Sequence, residues 1–189
     1  MAFPRYAEKH EHEEFITPST LRDWRRERGL LPDRAPESAI MLYQNALYEA
    51  AMSLETASPI GGAGIYQKVF TLDRTGGRVA VVGGFGIGAP VAAIVLEELI
   101  AIGVERVLSI GTAGALQRDL PPGEVVLCME MEAAALFTVA AYRGVPLASA
   151  FCISDSLADA EWNPQFDHPD LAHSLLTLYG AAVDTLAAR

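Results

Sequence analysis

The chain has 189 residues, 51% hydrophobic and 20% charged, with 24 acidic against 14 basic side chains and a formal net charge of −10. That length supports one domain with a real core rather than two, and the apolar content excludes a disordered chain. The acidic balance repels phosphate backbones and argues against nucleic acid as a partner, so the basic run at 22–28 reads as a solvated helix face.

Residues 1–16 are polar and read as an arm. Thr17-Pro18 opens a helix, because threonine suits the N-cap and proline the first helical position, and Gly29 can close it. Leu30 to Ser38 is a linker. Residues 39–57 lack breakers and carry apolar side chains at helical spacing, which predicts a second helix. Ile65 to Leu72 and Arg78 to Gly83 are β-rich runs around Asp73-Arg74-Thr75-Gly76-Gly77, a hairpin signature.

The pattern then becomes α/β. A buried strand at 79–84 runs into Gly84-Phe85-Gly86-Ile87-Gly88 and a helix, Ala89 to Ile102, stopped by Gly103. A second strand (ERVLSIG) ends in Gly111-Thr112-Ala113-Gly114, and GEVVLC is a third. Met129 to Arg143 reads as a helix ended by Gly144, followed by a fourth strand (PLASAFCIS). A polar loop with two aromatics precedes a last helix from Pro169 to about Leu186. Apolar strands alternating with helices predict an α/β fold with a mixed, largely parallel central sheet flanked by helices and a helical N-terminal arm. In domain terms, 1–38 is the arm with one helix and 39–189 a single α/β domain.

Cys128 and Cys152 sit in apolar runs and read as buried free thiols. The histidines form no ligand cluster, so no metal is expected. Neither a signal-peptide core nor a bilayer-length apolar stretch is present in these residues, so no membrane partner and a cytoplasmic location are expected.

Cleavage of a glycosidic bond passes through an oxocarbenium-like sugar. It calls for a carboxylate on the sugar hydroxyls, an acid for the departing base, and small residues where strands end and backbone amides face a ligand. Four segments fit: GGFGIGAPVAAIVLEELIAIGV at 83–104, VLSIGTAGAL at 107–116, MEMEAAALFTVAAYRGVPLA at 129–148, and ISDSL at 153–157. Together and in this order they resemble the nucleoside phosphorylase and nucleosidase family, with its glycine turn, Gly-Thr/Ser-x-Gly segment, Glu-Met-Glu motif and the Ser-Asp of purine-type members.

The resemblance implies that Glu132 binds the ribose hydroxyls, Met131 packs on the sugar and Glu130 helps shape the site. It implies that Thr112, with Ala113, Gly111 and Gly114, faces the phosphate or sugar, that Gly86 belongs to the substrate-binding glycine turn, and that Asp155 is the acid toward the base nitrogen. Taken singly these residues have plainer readings: glutamates placed near a positive helix end, an ordinary strand-to-helix turn, an N-cap or loop aspartate. A dinucleotide fold is the rival for the glycine turn, but it requires an acidic residue at the end of the next strand, which here ends Leu108-Ser109-Ile110-Gly111. The resemblance further implies a small-molecule nucleoside substrate, phosphate as a possible co-substrate, no organic cofactor and a homo-oligomer.

Two departures stand out. Phosphorolytic relatives hold phosphate with arginines, one in a Gly-Asp-Pro-x-Arg turn after the first strand and one just before the Gly-Thr/Ser turn. Here those places fall at 40–44 and at Ser109, and serine cannot replace a guanidinium fork. Phosphorolysis is the expected chemistry, with hydrolysis as the alternative and a non-catalytic binding or assembly module as a third. The second departure is a missing middle: Val126-Leu127-Cys128 runs straight into Met129-Glu130-Met131, where the family has several tens of residues. A strand feeding a helix with no turn residue is awkward, so the domain reads as interrupted at 128/129, with an omitted stretch favoured over a true deletion. An omission predicts that Cys128 and Met129 lie farther apart than the ~3.8 Å of bonded neighbours.

Overall fold

The computed structural model describes residues 17–31, 34–60, 68–126, 131–158 and 161–188. At its centre lies β1 (Ser38–Leu42), buried along its whole length. It is flanked in parallel by β4 (Val79–Gly83) and β5 (Arg106–Ala115), and β5 pairs in parallel with β7 (Leu147–Ser156). Antiparallel strands complete the edges: β3 (Lys68–Leu72) on β4, β2 (Ala57–Pro59) on β3, and the short β6 (Val125–Val126) and β8 (Asn163–Pro164) on β7. The sheet is therefore mixed, with a parallel centre of four strands in the order β4-β1-β5-β7.

Alternation along the strands sorts the apolar side chains into two cores. Ala39, Met41, Ala80 and Val82 face α3 (Ala89–Ile102) and α4 (Ala133–Arg143). Ile40, Leu42, Val79 and Val81 face α2 (Asn45–Leu54) and α5 (Pro169–Ala187). Apolar side chains on both strand faces are what a sheet covered on both sides demands. The N-terminal helix α1 (Pro18–Glu27) begins as its sequence predicts: Thr17 Oγ1 accepts from the Thr20 N–H at 3.1 Å, and Pro18 occupies the first position. It packs on α3, where Arg25, largely buried, forms an ion pair with Glu98.

Three sequence expectations need correction. The single helix expected over 39–57 is a strand followed by a helix, β1 and α2, because an apolar run entering the sheet centre is buried on both faces whatever its periodicity. The Gly111–Gly114 segment is no turn: β5 continues through it to Ala115, held by pairing with β7. The helix expected from Met129 starts at Ala133, with Glu132 at its N-cap. The hairpin at 68–83, with its 3-10 turn at Asp73–Thr75, and the helices α3 and α5 lie where the sequence places them. Cys128, Met129, Glu130 and the junction between Cys128 and Met129 lie outside the described residues.

Candidate active site

The carboxyl ends of the parallel strands converge on one cleft of about 520 Å³, within the range of small-molecule sites. Tyr43 and Gln44 enter it from the end of β1, Ile87 from the turn after β4, and Gly111 to Gly114 and Leu116 from the end of β5. Ser154 and Asp155 come from β7, Met131 and Glu132 from the start of α4, and Leu157 and Phe166 from the segments beyond β7.

Glu132 is 4% exposed, yet it carries a carboxylate at the N-terminal end of α4, where the helix dipole favours negative charge. Its Oε1 accepts the backbone N–H of Gly88. Gly84, Gly86 and Gly88 all have positive φ (71°, 87° and 105°), a path closed to most side chains, and this path aims the Gly88 amide at the glutamate. The glycine turn thus orients the Glu132 carboxylate. Gly86 is exposed and is not among the cleft-lining residues, whereas its neighbour Ile87 is.

Asp155 owes its place to an irregularity. β5 and β7 pair in register up to Ala113↔Ile153 and resume at Gly114↔Asp155, leaving Ser154 as an extra residue. Such a bulge re-aims side chains, a device common beside active sites. Ser154 donates through Oγ to Asp155 Oδ1 at 2.7 Å, and Trp162 Nε1–H donates to Oδ2 at 3.1 Å. The glycine at 114 leaves room: a Cβ there would stand 3.1 Å from Asp155 Oδ2.

Thr112 lines the cleft and accepts, through Oγ1, the Nε2–H of Gln44 at 3.0 Å. The Gln44 Oε1 is buried without a hydrogen-bond partner. Ser109 is not among the cleft-lining residues; it is fully buried and donates to the Tyr43 hydroxyl at 3.3 Å. Burial pushes the Tyr43 hydroxyl up to about 12, and the nearby Glu132 charge adds to the shift. Tyr43 is thus a neutral wall residue at physiological pH, braced edge-on by Phe85 with ring centroids 5.2 Å apart.

Of the residues singled out in the sequence, Thr112, Ala113, Gly114, Met131, Glu132 and Asp155 meet in this cleft, while Glu130 lies outside the described residues. The sequence reading touched Tyr43 and Gln44 only as part of the 40–44 segment that lacks a phosphate arginine, and assigned neither a place in the site, because the strand they follow was read as helix. Trp162 and Phe166 were visible only as two aromatics in a polar loop. A narrower apolar slot of about 210 Å³ between α2 and α5 shares Gln44, Thr112 and Phe166 with the cleft.

The family model of the phosphorylase superfamily matches residues 49–128 and 126–184. The chain belongs to this superfamily. Its two matched pieces meet at 126–128, where the sequence runs from strand into the Glu-Met-Glu segment. The chain is 29% identical over 138 residues to a DeoD-type purine nucleoside phosphorylase of Streptococcus gordonii, covering 72% of this chain and 46% of that protein. It is 55% identical over 42 residues to a guanosine phosphorylase of Halorubrum lacusprofundi, covering 22% of this chain and 17% of that protein. The chain thus spans less than half the length of either relative. Among solved structures, uridine phosphorylase from Vibrio fischeri superposes with a TM-score of 0.69 at 17% identity, covering 83% of this chain and 94% of that one. Futalosine hydrolase of Helicobacter pylori superposes with a TM-score of 0.61 at 17% identity, covering 80% and 98%. These two likenesses show the superfamily fold, which is the mixed α/β sheet described above. None of the described helices is long and apolar enough to cross a membrane.

Proposed function

We propose that this cleft cleaves the N-glycosidic bond of a purine-type nucleoside. The observation that carries the reading is that Glu132, at the start of α4, and Asp155, at the far end of β7, line one cleft of nucleoside size. Glu132, oriented by the Gly88 amide, accepts hydrogen bonds from the ribose hydroxyls as positive charge builds on the sugar. The nucleophile attacks the anomeric carbon, the glycosidic bond's electron pair leaves with the base nitrogen, and Asp155, acting as the acid, gives its proton to the base and is left as the carboxylate. Met131, 69% exposed, offers an apolar contact to the sugar.

The partial relatives, a purine nucleoside phosphorylase and a guanosine phosphorylase, support phosphate as acceptor. One observation favours water instead: beside Thr112 stands the neutral amide of Gln44, bonded to the threonine hydroxyl. A neutral amide–hydroxyl pair orients a water more readily than it holds a phosphate dianion. Release of free base from purine nucleosides, followed with and without phosphate, tests both readings. Phosphorolysis predicts a rate that rises with phosphate and a sugar phosphate product; hydrolysis predicts a phosphate-independent rate and free sugar. A nucleoside that raises the melting temperature without being consumed leaves a binding module, and no binding at all refutes the proposal.

The meeting of the two family matches at 126–128 also supports a central stretch of the family domain being absent between Cys128 and Met129. Intact mass decides whether the purified molecule carries more than the 20.3 kDa of this sequence. Exposed Ile87, Leu116, Met131 and Leu157 around the cleft mouth support a homo-oligomer, which light scattering tests.

A further inference from the structure

We propose that Trp162 is the positioning residue for Asp155. The inference rests on reading Asp155 as the base-side carboxylate, and it explains a contact with no evident structural purpose. Trp162 is 61% exposed, so water could satisfy its indole N–H, yet that N–H is directed at Asp155 Oδ2. The backbone holds it there. β8 folds back on β7 with Asp155↔Pro164 and Ser156↔Asn163 in register, and the Gln165 N–H donates to the Ser154 carbonyl at 2.9 Å. This short hairpin delivers the indole to the one carboxylate in the cleft contributed by β7. Phe166 packs obliquely against the indole, at 6.2 Å between centroids, while itself lining the cleft.

Asp155 is thereby anchored at both oxygens, to Ser154 at Oδ1 and to Trp162 at Oδ2. With two donors in place the carboxyl group cannot turn freely about its Cβ–Cγ bond, and the proton it gives keeps one direction toward a ring nitrogen of the base. Ser154 alone leaves that rotation open. Since the base gains its hydrogen bond as the glycosidic bond breaks, misdirection of Asp155 lowers kcat more than it raises KM.

Trp162→Phe keeps the ring and removes the donor. The expected result is a roughly tenfold lower kcat with KM within about twofold, from losing one charge-assisted hydrogen bond. Trp162→His, which restores a ring N–H, recovers part of the loss. An independent readout uses fluorescence: the chain has two tryptophans, Trp24 and Trp162, so Trp24→Phe leaves Trp162 as the single reporter. In that background Asp155→Asn is expected to change the emission of Trp162, because an amide replaces the carboxyl group that accepts the indole N–H. A Trp162→Phe kcat within twofold of the parent, or a Trp162 emission indifferent to Asp155→Asn, overturns the proposal. If no nucleoside is turned over, the functional reading fails, and the emission measurement alone still decides the positioning role.

Discussion

Gly83 ends β4 and leads into the glycine turn that orients Glu132, and it is packed against a ring with no space to spare. A Cβ at this position would stand 2.3 Å from Tyr48 Cδ2 and 2.5 Å from Cγ. Carbon atoms in contact sit at about 3.5–4.0 Å, so Gly83→Ala forces a displacement of more than about 1 Å. The backbone of Gly83 lies outside the left-handed region, so the cost is steric alone. Tyr48 has little freedom to retreat: it is 6% exposed on α2, with Phe70 on a neighbouring strand at 6.5 Å between ring centroids. Overpacking of this kind costs about 2–3 kcal/mol, which for a chain of this length lowers Tm by roughly 4–12 °C. Urea and thermal unfolding of Gly83→Ala, Tyr48→Ala and the double variant measure it. If the ring is the obstacle, Gly83→Ala costs less than half as much once Tyr48 is Ala. Equal costs in both backgrounds, or a Gly83→Ala protein as stable as the parent, would refute the reasoning.

Glu55 is a largely buried carboxylate (side chain 6% exposed) that accepts from Nε and Nη2 of Arg74, one edge of the guanidinium, and from the Tyr179 hydroxyl at 3.1 Å. Arg74→Met is expected to cost about 2 kcal/mol in urea titration, discounted from a fully buried pair because Arg74 is half exposed. Stability should hold up to about pH 9 and then fall toward pH 12. Burial raises the Cys152 thiol from 9.0 to about 11 and the Tyr43 hydroxyl from 10.0 to about 12, and it raises Tyr179 as well. In that window the unfolded chain has lost protons that the folded chain retains, so folding loses stability as pH rises. Cys152→Ala should flatten the part of the decline between about pH 9 and 11; an unchanged slope contradicts the assignment.

The α/β alternation, the capped first helix, the hairpin and the terminal helix were legible because each has a local signal: a cap, a breaker, or turn residues between apolar runs. Thr112, Glu132 and Asp155 were singled out for another reason, since each sits in a short segment that resembles the family's, and the structure brings all three to one cleft. What was hidden is set by tertiary pairing. Ser38–Leu42 becomes a strand because β4 and β5 lie on either side of it, information absent from its own residues. Gly111 to Ala115 has the composition of a turn and is held extended by β7. The Gln44 and Trp162 contacts, to Thr112 and Asp155, depend on strand ends and a bulge that no local pattern announces.

The most direct test of the account is the rate of base release from a purine ribonucleoside by the parent and by Glu132→Gln, an isosteric change at a buried carboxylate. Loss of charge-assisted hydrogen bonds to the ribose hydroxyls should cost about 3–4 kcal/mol in the transition state, a fall of roughly 100- to 1000-fold, with the fold intact by melting temperature. A folded Glu132→Gln protein that releases base as fast as the parent would contradict the central claim that this cleft grips the sugar through Glu132.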